Sequence, residues 1–251
     1  MPLHRAELVD GGFYWRKRRV HDKSLVLYLS FDKDDGSYAR DRSGYNKHGV
    51  IYGASRVAGK VGNALSFDGV DDYANVEPFT VYGWNEYTFM SWVSPNAIPS
   101  SGYRKTAMIS RNLPSPVFWY GSWIELTYTN YLHLYGCRLW RPSDNAVYAI
   151  RVSYTLSDYV GKWVHVAYVV SKLLKRVRIY VGGALVNDTD ISSYLAAGYI
   201  TPMDDNQITR FTLGCNTSLS ENAPIIHDEV RIYNRALSQA EIIRLMYMRG
   251  V

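Results

Sequence analysis

This 251-residue sequence predicts an all-β fold in which two sheets pack face to face. Three observations carry that expectation. Short apolar segments alternate or run continuously over strand-like lengths, Asp-Gly and Gly-Gly pairs separate them, and a helix signature occurs once, near the C-terminal end.

Taken in order, residues 25–31 (LVLYLSF) form an apolar run closed by the turn-rich Asp32 to Gly36. Residues 64–67 lead into Asp68-Gly69, and alternation resumes over residues 71–76. Residues 87–93 (YTFMSWV) put Thr88, Met90 and Trp92 on one face. Residues 163–170 and 177–181 read as a hairpin around the basic turn 171–176, and Gly182-Gly183 turns the chain again into 184–186. Ser238 and Glu241 have capping-box spacing ahead of Ile242, Ile243, Leu245 and Met246. One helix of two to three turns is therefore expected, ending at Gly250. There is no internal repeat and no linker. Residues 1–23 read as a basic extension and residues 24–251 as one domain.

The formal charge of +5 is mild, and much of it lies in Arg16 to Arg19, which reads as a solvated extension. Nucleic acid is not an expected partner. No apolar run is long enough for a membrane-spanning helix, and the opening residues lack the apolar core of a secretory signal. Cys137 and Cys215 match no metal spacing and are expected to be buried free thiols. Tyrosine is the compositional outlier at 22 residues, with 7 tryptophans beside it. Aromatic side chains suit strands and also make platforms for sugar rings, so both uses stay open.

Six blocks then resemble one family in its own order: LYLSFDKDDGSYARDRSGYNKHGVIYG, GKVGNALSFDGVDDYANV, YTFMSWVSP, KWVHVAYVV, VRIYVGGALV and HDEVRIYNRALSQAEI. The chain resembles the laminin-G-like domains of the concanavalin A-like lectin/glucanase superfamily over roughly residues 25–246. That resemblance implies a jelly-roll sandwich of two curved antiparallel sheets. In it the last strand lies beside the first, and the C-terminal helix covers the sheet. It also implies an extracellular, virion or cell-surface setting.

The resemblance further implies a structural calcium held by Asp228 at the head of the last strand, with Asp32, Asp41 and Asn46 from the N-terminal block. Such an ion takes about six to eight hard oxygen ligands. The bland alternative for Asp228 is a turn cap or a pairing with Arg231 or Arg235. Asp68, Asp71 and Asp72 read first as an acidic turn and second as a fallback calcium site. Glucanases of the superfamily carry paired carboxylates on one strand, and no such E-x-D-x-x-E pattern occurs here. Glu125 is a lone acid among aromatics, and His165 is expected in a structural hydrogen bond.

Residues 100–151 fit the family least and are the expected seat of specificity. Trp119, Tyr120 and Trp140, beside turn-forming residues, are the candidate sugar platforms, with Arg138 for hydroxyls. Trp123 and Tyr128 read as packing. The expected protein is a non-catalytic, lectin-like module for a glycan or glycosylated surface. The alternative is a structural protein of a virion or surface layer with protein partners, and a glycoside hydrolase is least favoured. Asn187 and Asn216 match the glycosylation pattern.

Overall fold

The computed structural model describes residues 5–9, 12–16, 22–33, 36–113 and 118–248. A hairpin of β1 (Arg5–Val9) and β2 (Gly12–Arg16) opens the chain. Lys17 to Arg19 of the basic run, the Asp34-Asp35 pair and Gly250 lie outside the described residues. There follow β3 (Leu25–Leu29), β4 (Tyr38–Ala39), β5 (Gly49–Tyr52), β6 (Ser55–Ala58), β7 (Asn63–Asp68), β8 (Tyr73–Val76) and β9 (Glu86–Pro95). Four long strands come next: β10 (Tyr103–Leu113), β11 (Phe118–Thr127), β12 (Tyr131–Arg141) and β13 (Ala146–Thr155). After β14 (Val164–Ser171), β15 (Arg176–Val181) and β16 (Ala184–Asp190) come α1 (Ser192–Ala196), β17 (Phe211–Leu213), β18 (Pro224–Tyr233) and α2 (Gln239–Tyr247).

These strands make two eight-stranded antiparallel sheets, consistent with the expected jelly-roll sandwich. One runs β13-β12-β11-β10-β17-β8-β5-β4; the other runs β16-β15-β14-β9-β18-β7-β6, with β3 paired to β18. Between them lies the main core, where Leu27, Phe89, Tyr168 and Ile232 of one sheet meet Ile124, Leu134 and Phe211 of the other. Alternation explains the placement. In β9, Tyr87, Phe89 and Val93 enter this core, while Thr88, Met90 and Trp92 face outward.

The outward face is sealed by α2. Ser238 Oγ accepts the Glu241 amide at 3.3 Å, and the Glu241 carboxylate accepts the Ser238 amide at 2.8 Å, as the capping-box spacing predicts. Ile242 and Leu245 pack on Leu25, Tyr28, Met90, Ala167, Val169, Tyr180 and Tyr233. The helix ends at Tyr247, and the one-turn α1 is an addition that no cap signal announced.

Strand β18 does close the sandwich beside the N-terminal block, Val230 opposite Leu29 and Ile232 opposite Leu27. Its first half pairs with β7 instead, Pro224 to His227 opposite Asp68 to Leu65. Where the partner changes, the register with β9 slips between Asp228 and Arg231, and Glu229 takes φ 53°. This bulge re-aims Asp228 and Glu229 out of the ladder. Cys137 and Cys215 are free and buried. His165 corrects its expectation: neither ring nitrogen finds a hydrogen-bond partner among the described residues, and the ring packs edge-on to Trp92 at 5.3 Å. Burial holds it neutral, with its pKa lowered to about 3.

Candidate functional site

Strands β10 to β13 form one end of their sheet, and their pleat sorts residues strictly. Tyr120, Ile124 and Leu126 of β11 enter the core, so the odd-numbered Trp119, Trp123 and Glu125 face outward. On β12, Leu132 and Leu134 point in, and His133 and Tyr135 point out. A register slip between Tyr135 and Cys137 keeps Cys137 and Leu139 inside and sends Arg138 outward. The outer face so formed is a groove of about 790 Å³.

Cross-strand register builds the groove in rows. Lys105, Glu125, His133 and Ser153 stand opposite one another across the four strands. A second row is Trp123, Tyr135 and Arg151. Trp123 and Tyr135 stack with centroids 4.2 Å apart at 20°, and with Met108 and Trp119 they form a buried cluster beneath the groove. Arg151 lies over the Tyr135 ring at 5.3 Å and donates to its hydroxyl at 2.6 Å. Tyr131 stacks on His133 at 5.5 Å at the rim of the groove.

Lys105 Nζ contacts both acids of the groove, Glu221 at 2.6 Å and Glu125 at 3.7 Å. Burial raises the Glu125 pKa, and the Lys105 ammonium opposes that rise. His133 Nδ1 lies 2.8 Å from Ser153 Oγ. Burial, then the charge of Arg151, lowers its pKa to about 4, so the ring is neutral at physiological pH. The groove thus offers the half-exposed rings of Tyr103 and Tyr131, a neutral imidazole, a hydroxyl and fixed charges of both signs.

Trp119 and Arg138 line this groove; Tyr120 and Trp140 do not. The sequence placed Trp119 and Tyr120 near turns and exposed, yet both are buried within β11. As sequence neighbours they point to opposite faces, and the Tyr120 hydroxyl donates to Asp205 from inside the sandwich. Trp140 packs on Tyr120 at 5.4 Å and reaches Asn145. Trp123 is packed as expected, buried against Tyr135 beneath the groove, whereas Tyr128, also expected as packing, is exposed. Lys105, His133, Arg151, Ser153 and Glu221 were not singled out. Alternation through 131–135 and 151–153 marks their parity, but only register brings them together.

The residues named for a cation divide into two places. Asp228 is fully buried at the β18 bulge, under the turn 59–62. Val61 N–H donates to its Oδ2 at 2.8 Å, and a Cβ at Gly59 would stand 2.7 Å from that oxygen. Asp32 accepts from the Asn63 amide at 3.3 Å, and a Cβ at Gly62 would collide with its carboxylate. The G-K-V-G turn therefore needs both glycines, Gly62 also for its φ of +61°. Asp228 Oδ1 accepts no hydrogen bond among the described residues. Its pKa is pushed up to about 7, first by burial and further by Glu229 and Asp32. Glu229 itself is paired with Arg231 and accepts from Tyr28 Oη at 2.9 Å.

Asp41 organises another loop. Its oxygens accept from the amides of Tyr28 (2.9 Å), Ser43 (2.8 Å) and Lys47 (2.9 Å), and from Ser43 Oγ. Asn46, at φ 57°, is exposed in that loop. Asp68, Asp71 and Asp72 do cluster, but Asp68 and Asp72 accept the amides of Val70 and Asp68, as an acidic turn requires. Of the two sequons, Asn216 is buried and accepts from the Ser218 and Ser220 amides.

Comparison with known proteins follows the same lines. The family Laminin_G_3, described as the concanavalin A-like lectin/glucanases superfamily, matches residues 68–243. No curated protein matches the chain. Similar solved structures include the binding domain of Paraclostridial Mosquitocidal Protein 1, 20% identical over 90% of this chain and 52% of that one, with a TM-score of 0.64. The botulinum neurotoxin serotype D binding domain is 15% identical over 88% of this chain and 51% of that one, with a TM-score of 0.63. The binding domain of botulinum neurotoxin DC, in complex with rat synaptotagmin II, is 18% identical over 90% and 51%, with a TM-score of 0.62. At these identities the likeness is one of fold, and the chain spans about half the length of each.

Proposed function

This chain belongs to the concanavalin A-like lectin/glucanases superfamily, and from that premise we propose that it is a non-catalytic binding module that recognises carbohydrate through the groove across β10 to β13. The observation that carries the reading is the half-exposed rings of Tyr103 and Tyr131 in one groove with Lys105, His133, Ser153 and Arg151. A sugar ring has an apolar face for the aromatics and equatorial hydroxyls for the polar rim. The absence of catalysis is supported by the acids: Glu125 and Glu221 are both tied to Lys105 instead of facing each other across an open space.

A structural calcium belongs to the same reading. Asp228 with its orphaned, buried Oδ1, and Asp32 beside it, supply the hard oxygens that would hold the ion. Asp41 and Asn46 would act only by ordering the neighbouring loop. When bound, the ion would neutralise a carboxylate that burial otherwise drives toward protonation. It would pin β18, β3 and the 59–62 turn, leaving recognition to the groove.

Screening against a broad glycan array, with calcium and with chelator, tests both parts. Selective binding weakened in Tyr131→Ala, with calcium affecting melting temperature more than affinity, is the expected result. A blank array in both buffers overturns the lectin reading. The alternative, a protein-contacting component of a virion or surface layer, is favoured by Leu173 and Leu174, 67% and 52% exposed at the β14–β15 turn. Concentration-dependent mass in light scattering, abolished by serine at both positions, would support it.

A further inference from the structure

The charges of the groove are not evenly matched. Three cations, Lys105, Arg138 and Arg151, line it against two acids, Glu125 and Glu221. Lys105 is the cation that both acids hold directly. Arg138 makes no side-chain hydrogen bond or ion pair among the described residues. Among the described residues Arg151 donates only to the Tyr135 hydroxyl. Both guanidiniums therefore enter the groove beside Tyr135 with no carboxylate of the described residues in direct contact, the Glu125 charge reaching each from a distance.

Their placement is built. Arg138 faces the groove because of the one-residue slip in β12 after Tyr135; without it the pleat would turn this side chain into the core. Arg151 is held by its stack and hydrogen bond to Tyr135 directly opposite. Burial lowers the Arg138 pKa, Tyr135 and Glu125 oppose that, and the like charge of Arg151 adds to it. The partly buried Arg138 and the exposed Arg151 repel each other, and an anion between them relieves that repulsion. Planar guanidinium donors also match a carboxylate bidentately.

We propose that the groove selects an acidic saccharide, one whose carboxylate sits between Arg138 and Arg151 while its ring extends along the groove toward the half-exposed Tyr131. This rests on the carbohydrate reading above and names the ligand class within it. Lys105, neutralised by its two acids, fixes the far wall and contributes no net attraction. Glu125 faces the same groove and disfavours an anion placed near it, so the acid end of the sugar is directed toward Arg138 and Arg151.

The test uses matched probes that differ only in charge. Trigalacturonate is titrated against its methyl ester, and sialyllactose against lactose, by calorimetry with the whole chain. At least one acid should bind roughly tenfold to hundredfold tighter than its neutral partner, with the advantage shrinking as salt rises. Which pair discriminates tells a uronate from a sialate. Arg138→Gln and Arg151→Gln should each remove most of the discrimination while neutral-sugar affinity changes little, and Arg138→Lys should keep part of it. Circular dichroism and melting confirm that each variant is folded. If Arg138→Gln and Arg151→Gln both fold poorly, the wild-type acid-to-ester ratio and its salt dependence decide the matter. Equal binding of acid and neutral partner, or undiminished discrimination in both glutamine variants, overturns the proposal and leaves the lectin reading standing. Failure of every saccharide on the array removes both.

Discussion

The two outer faces of this sandwich are made from similar strands and have opposite fates. Over β3, β18, β9, β14 and β15 the outward residues are Leu25, Met90, Ala167, Val169 and Tyr233, and α2 covers them with Ile242 and Leu245. Over β10 to β13 the outward residues are aromatics interleaved with Lys105, Glu125, His133 and Arg151, and no helix of the described residues lies over them. Charge at alternate positions is what distinguishes the faces. A helix laid across the second face would bury four titratable side chains, a cost that its apolar contacts could not offset. The sealed face therefore holds the fold, and the open face is free for a ligand.

Breaking the sealed face should have the larger consequence for stability. Ile242→Asp puts an unpaired carboxylate where Ile242 is fully buried, and should cost about 5 kcal/mol in denaturant titration. Ligand affinity measured on the folded fraction should be unchanged. A loss of binding equal to the loss of stability would show that the faces are not independent.

Asp228, on the sealed sheet, predicts a pH dependence. Its folded pKa of about 7 exceeds the ordinary carboxylate value, so the folded state holds the proton more tightly. In metal-free protein, stability is then fully present below about pH 4 and falls as pH rises to about 7, by on the order of 4 kcal/mol. Calcium should reverse much of that fall at pH 7 to 8, and Asp228→Asn should abolish both effects. A metal-free protein equally stable at pH 4 and pH 7 would contradict the burial of this carboxylate as an uncompensated charge.

On the open face, Tyr131→Ala, which removes a half-exposed ring of the groove, should weaken saccharide binding by about 2 kcal/mol, near thirtyfold. Tyr135→Phe keeps the stack and loses only the hydroxyl that Arg151 reaches at 2.6 Å. It should cost about 1 kcal/mol in affinity with little change in melting temperature. The smallest effect is a null one. His133, with its pKa near 4, should leave binding flat between pH 5 and 8, and a step near pH 6.5 would mean the ring is more open than its burial implies.

Local pattern was sufficient for much of this molecule. The alternation of residues 87–93 placed Thr88, Met90 and Trp92 together, the Ser238–Glu241 spacing located α2, and the glycine pair of 182–183 turned β15 into β16. Glu125 was recognisable as an isolated acid among aromatics. These features depend on residues within a few positions of one another, whose backbone preferences and side-chain parity act before any distant contact forms.

Tertiary structure alone decided the rest. Parity states that Trp119 and Tyr120 face opposite ways, but not which way is solvent; that depended on which face of β11 met the other sheet. Nor does a local pattern hold the register that lines Lys105 up with Glu125, His133 and Ser153 from four strands. Slips at Tyr135/Cys137 and Asp228/Arg231 turned Arg138 into the groove and Asp228 under the Gly59–Gly62 turn. Such slips are set by how whole strands fit across a packed core, a balance of many weak non-local contacts that no short stretch of sequence contains.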